Sequence, residues 1–312
     1  MKLSIVIPAY NEANSIERTI RDIREAVSRS GVKECEFIVV DDHSEDSTFE
    51  LVKGMGEKNI NSIRLSRRGG SHTAIRAGLR HSRGDATLCI SADGQEDPGV
   101  LAEMAGKWKA GAKIVWALRR DRRSENWHIR KFAQLFYYAL SFLGESQERG
   151  IDFSRADFFL LDSRVVKSIN ACSEKNTSLF GLIGWLGFGS DFVEYDRRPR
   201  AAGKTKWSFR RRVRLAKDWI IAFSGLPLKI MSAIGMFIAV FGFIYGLYLV
   251  INYMVGSPSP GWSSIMVAIF ILGGVQMMML GIIGEYLWRN LDESRKRPLY
   301  FIEASTTNAE TD

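Results

Sequence analysis

The sequence predicts an α/β protein in two unlike parts: a doubly wound, mostly parallel sheet, then a hairpin of two long apolar helices. Three observations predict it. Strand-like and helix-like segments alternate from residue 3 to residue 117. Polar residues gather where four of those strands end. Beyond residue 210, two long stretches carry almost no charge.

Residues 3–7 read as an apolar strand that stops at Pro8, and apolar positions recur at helical spacing over 15–28. A second strand over 37–40 runs into Asp41-Asp42, with a helix over 46–55. A third strand covers 60–65 and a helix 71–80. The fourth strand, 87–90, leads into Ser91-Ala92-Asp93, and a helix over 98–109 precedes a fifth strand over 114–117. Such alternation implies a mostly parallel sheet with helices on both faces. Ligands then bind beyond the carboxyl ends of the strands. Those ends carry Pro8-Ala9-Tyr10-Asn11-Glu12, Asp41-Asp42, Asp93-x-Gln95 and Arg119-Arg120. Neither GxGxxG nor GxxxxGK[ST] occurs, which excludes the usual dinucleotide fingerprint and a P-loop.

The two apolar stretches, about 230–255 and 265–287, each exceed the roughly 20 residues that span a bilayer. Buried core helices are the alternative, but soluble helices of this length carry a charged face. The connector is Gly256-Ser257-Pro258-Ser259-Pro260-Gly261. Arg210, Arg211, Arg212, Arg214, Lys217 and Lys229 precede the first span; Arg289, Arg295, Lys296 and Arg297 follow the second. The positive-inside rule therefore places both flanks, the large N-terminal domain and both termini in the cytoplasm. Phe209, Val213, Ala216, Ile220 and Phe223 recur at helical spacing opposite arginines, as in a helix lying in the headgroup layer. The expected organisation is a catalytic domain over 1–208, interfacial helices over 209–228, the two spans within 229–288, and a cytoplasmic tail over 289–312. Residues 303–312 are polar and read as disordered.

At 46% hydrophobic and 25% charged, the composition is that of a folded chain. Lys+Arg 43 against Asp+Glu 35 gives +8, which suits phosphorylated ligands, an anionic membrane face or nucleic acid. Much of the basic charge flanks the spans, so lipid headgroups are the nearer partner and nucleic acid is not expected. Cys35, Cys89 and Cys172 lie far apart without CxxC spacing, excluding a disulfide framework and a simple zinc module. The first ten residues are too short an apolar run, and too broken by Pro8, for a signal peptide.

The rim suits a nucleotide. Carboxylates such as Glu12 and Asp42 can accept hydrogen bonds from base and ribose. A diphosphate with a hard cation needs oxygen ligands, which Asp93 and Gln95 offer. Isolated strand-end carboxylates also serve as caps or solvated turns; convergence of several on one rim favours a ligand site.

These residues carry a resemblance. Ile5-Val6-Ile7-Pro8-Ala9-Tyr10-Asn11-Glu12 is similar to the opening of the inverting family-two glycosyltransferases. Val39-Val40-Asp41-Asp42-His43-Ser44-Glu45-Asp46-Ser47-Thr48 resembles their VDDGSxDxT segment, and Ser91-Ala92-Asp93-Gly94-Gln95-Glu96-Asp97-Pro98 their DADLQDPP metal motif. Gly273-Gly274-Val275-Gln276, Gly284-Glu285-Tyr286-Leu287 and Arg297-Pro298-Leu299-Tyr300 resemble the tail of the polyprenyl-phosphate glycosyltransferases of the GtrB and dolichol-phosphate-mannose-synthase-like type. The resemblance implies a GT-A fold. It also implies transfer of a hexose such as glucose, from a donor such as a UDP-sugar, to undecaprenyl phosphate with inversion. By the same resemblance, Pro8, Tyr10, Glu12, Val40, Asp42, Ser91, Ala92 and Arg119 contact the donor nucleotide or its phosphates. Asp93 and Gln95 hold Mg²⁺ or Mn²⁺.

Ala156-Asp157-Phe158-Phe159-Leu160-Leu161-Asp162 resembles the family's GDFRLMD segment, whose Asp is the proposed base or acceptor-orienting group. A phosphate acceptor is already ionised near neutral pH, so Asp157 is expected to orient rather than to act as a strong base. Its alternative role is a cap for the helix after Ser163. Arg198-Pro199-Arg200-Ala201-Ala202-Gly203-Lys204-Thr205-Lys206-Trp207 resembles the basic loop before the membrane. Arg200 and Lys206 match its functional cations, expected to grip the lipid phosphate. General attraction to anionic lipid remains the alternative for both. The resemblance and Gly242-x-x-x-Gly246 point to a homo-oligomer.

Departures from the family pattern bear on the reading. Ser91 stands where the first Asp of the DxD motif belongs, which weakens the cation site. Phe159 replaces an Arg, and Arg67-Arg68-Gly69-Gly70-Ser71-His72 departs from RNFG, with His72 expected in a loop rather than as a ligand. No QxxRW motif points to a processive synthase. A transferase of the dolichyl-phosphate-mannose or aminoarabinose type shares the chemistry with another donor. A catalytically inactive membrane scaffold, motivated by Ser91, is the rival of a different class.

Overall fold

The computed structural model of the chain describes residues 1–120, 156–175, 177–198, 226–255 and 261–306. They fall in two compact units, Met1–Arg212 with Pro298–Asp312, and Val213–Arg297. The expected interfacial helix, Arg200, Lys206 and most of the connector between the spans lie outside the described residues.

The first unit is built on strands β1 (Lys2–Ala9), β2 (Glu34–Asp41), β3 (Ile60–Leu65), β4 (Ala86–Cys89), β5 (Ile114–Arg119), β6 (Ala156–Asp162), β7 (Ser190–Tyr195) and β8 (Ile302–Ser305). Helices α1 (Ile16–Arg29), α2 (Thr48–Gly54), α3 (Ser71–His81), α4 (Leu101–Lys109), α5 (Ser163–Ala171) and α6 (Leu179–Trp185) connect and cover them. The strands form one sheet in the order β7-β5-β6-β4-β1-β2-β3-β8. β1 pairs in parallel with β2 and β4, β2 with β3, and β5 with β7. β6 runs antiparallel between β4 and β5, and β8 antiparallel on β3. The sheet is therefore mixed, but β1 to β5 and β7 all point the same way, and their carboxyl ends share one rim.

Period-two alternation with both faces buried explains the strands. Leu3, Ile5 and Ile7 enter an apolar layer with Ile16, Ile20 and Ile23 of α1 and Leu101 and Met104 of α4. Val6, Ile38 and Val40 enter the opposite layer with Ala74 and Ala77 of α3 and Val165 of α5. Each fully buried Ile or Leu contributes about 1.5–3 kcal/mol. α3 approaches β1 closely at Gly78, where a Cβ would lie 2.3 Å from Val6 Cγ1 and 3.3 Å from Val40 Cγ2.

Two sequence expectations are corrected here. Residues 302–305 are a strand rather than part of a disordered end. Ile302 and Ala304 are half-buried while Glu303 and Ser305 are exposed, and pairing with β3 satisfies backbone groups of an otherwise open sheet edge. His72 lies in the first turn of α3, not in a loop. Its Nδ1 accepts from Leu179 N–H at 3.4 Å, its ring lies 5.6 Å from that of Phe180, and burial lowers its pKa to about 4.

The second unit holds α7 (Leu226–Met254) and α8 (Trp262–Ser294). Met231–Asn252 and Ile271–Ser294 are long and apolar enough to cross a membrane. Among the described residues most of their side chains stay uncovered: Phe237 is 72% exposed, Phe243 74% and Met277 70%. Such exposed apolar surface is unlike a buried core helix and suits association with a membrane. At Gly235 an added Cβ would meet Met279 Cε of α8 at 3.7 Å, whereas at Gly242 and Gly246 it would meet nothing within 4 Å. The Gly242-x-x-x-Gly246 pair thus faces no other described residue of this chain.

Candidate active site

The loops after β1 and β2 are laced to each other. Asn11 adopts φ 53°, its N–H donates to Ser44 Oγ at 2.9 Å, and its Oδ1 accepts from Glu45 N–H at 2.9 Å. Glu12 N–H donates to Thr48 Oγ1 at 2.9 Å, and Glu12 Oε2 accepts from Ser15 Oγ at 2.8 Å. Asp42, only 3% exposed, accepts from Gly69 N–H at 2.6 Å and Gly70 N–H at 2.8 Å. Burial raises its pKa against those two hydrogen bonds and nearby Arg68. Arg68 lies over the Tyr10 ring at 3.8 Å from its centroid. Pro8, Tyr10, Glu12 and Asp42 are thus brought to one corner of the rim, with the Arg67–Gly70 segment folded onto it. Val40 is not available there through its side chain. It is fully buried beneath α3, so a ligand at this corner meets only its backbone.

Asp41 belongs to the frame. Its carboxylate receives Arg64 Nη1 at 2.9 Å and Ser44 N–H at 3.2 Å, and Arg64 Nε reaches Glu303 of β8 at 3.0 Å.

The β4 exit forms a tight turn with Gly94 at φ +68°. Asp93 Oδ1 accepts from Ser91 Oγ at 2.9 Å and Gln95 N–H at 3.1 Å. The Ala92 carbonyl accepts from Thr19 Oγ1 at 3.0 Å and so faces inward. Gln95 Oε1, expected on the cation, receives Arg197 Nη2 at 2.6 Å; a cation at Gln95 would require exchange of that partner. Glu96 accepts from Ser91 N–H at 2.6 Å. Burial first, with the nearby Asp157 and Asp93 charges, pushes its pKa up to about 8, so it is largely uncharged at neutral pH. Ser91, Asp93 and Gln95 form an all-oxygen donor set that suits a hard divalent cation. Among the described residues no three His, Cys, Asp or Glu side chains converge as a metal cluster, so a cation here needs further ligands from a bound diphosphate and water.

The third part of the rim joins β5, β6 and β7. Because β6 is antiparallel, its beginning lies at the carboxyl ends of its neighbours, which puts Asp157 on the rim. Arg119 Nε lies 2.9 Å from Asp157 Oδ2, and the Tyr195 hydroxyl donates to the same oxygen. The helix-cap reading of Asp157 falls: Asp162 caps α5 by accepting from Arg164 N–H, while also holding Trp108 Nε1 at 3.0 Å and Lys113 Nζ at 3.1 Å. Beyond β7, Arg198 binds Asp97 at 2.7 Å and Asp22 at 3.1 Å.

Sequence reasoning missed Tyr195, Glu96 and Arg197. Glu96 sits inside a recognised motif and was legible there. Tyr195 had no local signal, since its meaning depends on strand order.

Comparison with known proteins then becomes informative. Residues 4–166 match Glycosyl transferase family 2, and residues 226–289 match the GtrB C-terminal hairpin. A Synechocystis glycosyltransferase described as uncharacterized is 37% identical over 305 residues, covering 97% of this chain and 95% of its own. The bactoprenol glucosyl transferase of Shigella phage SfV is 35% identical over 309 residues, covering 97% and 98%. The prophage bactoprenol glucosyl transferase homolog of Escherichia coli is 35% identical, covering 97% and 99%. Among solved structures, mannosyl-3-phosphoglycerate synthase from Rubrobacter xylanophilus aligns with TM-score 0.49 at 19% identity, covering 72% of this chain and 73% of its own.

Proposed function

Because the chain belongs to glycosyl transferase family 2 and carries the GtrB C-terminal hairpin, we propose that it moves glucose from a nucleotide diphosphate donor, UDP-glucose, to a polyprenyl phosphate with inversion. The observation that carries this reading is the likeness to bactoprenol glucosyl transferases, which runs through both the catalytic unit and the hairpin.

In this reading, Tyr10, Glu12 and Asp42 take the nucleoside at the laced corner, with Pro8 and the Val40 backbone beneath it. Asp93, with Ser91 and Gln95, would hold Mg²⁺ or Mn²⁺, whose charge, when bound, stabilises the leaving diphosphate. An oxygen of the acceptor phosphate attacks the anomeric carbon as the bond to the diphosphate breaks. That phosphate arrives ionised, so a strong base is not needed; Asp157 orients it and Arg119 lies beside the leaving charge. Arg200 and Lys206 are assigned to the lipid phosphate. The charged flanks of the spans favour a catalytic unit and both termini in the cytoplasm, with α7 and α8 crossing the inner membrane. The unengaged Gly242-x-x-x-Gly246 face favours a homo-oligomer.

The test is a donor panel. Protein in nanodiscs receives undecaprenyl phosphate, Mg²⁺ or Mn²⁺, and radiolabelled UDP- or GDP-sugars in separate reactions. Label entering the organic phase from UDP-glucose is the expected result. Transfer from another donor alone overturns the sugar assignment, and intact nucleotide binding without any transfer overturns the acceptor.

A further inference from the structure

Tyr195 ends β7 directly opposite Arg119, which ends β5; the two are register partners in a parallel ladder and so stand side by side on the rim. Tyr195 is 2% exposed, with its ring edge-on to Phe158 at 5.1 Å between centroids. Its hydroxyl and Arg119 Nε converge on one oxygen of Asp157, Oδ2. Among the described residues no donor falls on Oδ1. Arg119 supplies charge to this carboxylate, and Tyr195 supplies direction, because an O–H on a packed ring donates along one line. Turning the carboxylate plane out of this geometry would break both interactions at once.

We propose that Tyr195 is a positioning residue that fixes the orientation of the Asp157 carboxylate, occupying one oxygen together with Arg119 so that the other is left for the acceptor. The proposal rests on the reading of Asp157 as the group that orients the acceptor. Burial raises the phenol pKa further above its ordinary value, so Tyr195 remains a proton donor at physiological pH. Lys or Arg in its place would add charge, and only a neutral donor leaves the Asp157–Arg119 pair balanced.

The experiment compares wild type, Tyr195→Phe and Asp157→Asn as full-length protein in nanodiscs. It measures kcat with undecaprenyl phosphate, KM for the sugar donor, UDP affinity in the presence of Mn²⁺, and the thermal midpoint. Tyr195→Phe keeps the ring and deletes one O–H. It is expected to lower kcat about tenfold to a hundredfold, the effect of one hydrogen bond to a charged group. UDP affinity and thermal midpoint are expected to stay at wild-type values, which separates positioning from a structural role. Wild-type kcat in Tyr195→Phe overturns the proposal, as does a fall in kcat that tracks a lowered midpoint. Wild-type kcat in Asp157→Asn is a different failure: it removes Asp157 from the mechanism, and Tyr195 with it.

Discussion

The two ends of the rim are held by different means. At the β1–β2 corner the hydrogen bonds run among the loops after β1, β2 and β3 and use backbone donors: Asn11 N–H on Ser44, Glu12 N–H on Thr48, Gly69 and Gly70 N–H on Asp42. At the β5–β6–β7 corner, a charged guanidinium and a phenol from two strands close on a carboxylate from a third. The first corner resembles a preformed mould, suited to a nucleotide that must be recognised by shape and hydrogen bonds. The second concentrates charge on few atoms, suited to steering a reacting group. Loops that fix one another support binding, whereas side chains that fix one carboxylate support turnover.

The largest test of that contrast sets Asp157→Asn beside Asp42→Asn. Asp157→Asn is expected to lower kcat by about 10²–10³, in line with loss of one preorganised electrostatic group, with UDP binding retained. Asp42→Asn is expected to raise donor KM with a smaller change in kcat. Should both variants shift KM and kcat alike, the division of labour between the corners is wrong.

A second test asks how far the nucleotide corner depends on the C-terminal strand. Arg64 joins Glu303 of β8 to buried Asp41 and the Ser44 carbonyl. Arg64→Ala leaves the Asp41 carboxylate buried and unpaired. The expected loss is about 3 kcal/mol in chemical denaturation, the low end for a broken buried pair because Arg64 is partly exposed. Donor KM should rise in the same variant. Unchanged donor KM would show that β8 serves stability alone.

The smallest expected effect on activity concerns Glu96, between the corners. Its pKa in the folded protein is raised to about 8 from an ordinary 4.5, mainly by burial. A group raised on folding contributes stability that is complete below the unfolded value and is lost as pH rises through the folded one. In chelator-treated protein, the wild-type melting temperature should therefore fall between about pH 4.5 and 8 relative to Glu96→Gln, which has no charge to gain. A shift of that size is worth at most about 5 kcal/mol, so a difference on the order of ten degrees is the scale to look for. Parallel melting curves across that window would place the Glu96 carboxylate in contact with water.

The nucleotide corner was legible in the sequence because its parts are local. Asn11, Glu12, Asp42, Ser44 and Thr48 fall in two short motifs at the ends of neighbouring strands, and the two motifs close on each other. The mixed sheet was less legible. The alternation of strands and helices identified β1 to β5, but β6, slipped antiparallel between β4 and β5, carries no mark of its direction. β8 looked like a polar end, because an edge strand with one half-buried face shows only weak alternation.

By itself, the sequence determined the two solvents of this protein. Mixed, periodic polarity specifies a sheet with helices on both faces, and apolar helices of membrane length suit an apolar surrounding, because these signals reside in consecutive residues. It also determined which carboxylates reach the rim on β1, β2 and β4. Only the tertiary structure decided that Asp41 pairs with Arg64 while Asp42 takes the Gly69 and Gly70 N–H groups, that Gln95 is held by Arg197, and that Tyr195 and Arg119 share Asp157. The physical reason is that a side chain's task is set by what stands opposite it. Across a sheet, that depends on strand order and register, which bring together residues far apart in the chain.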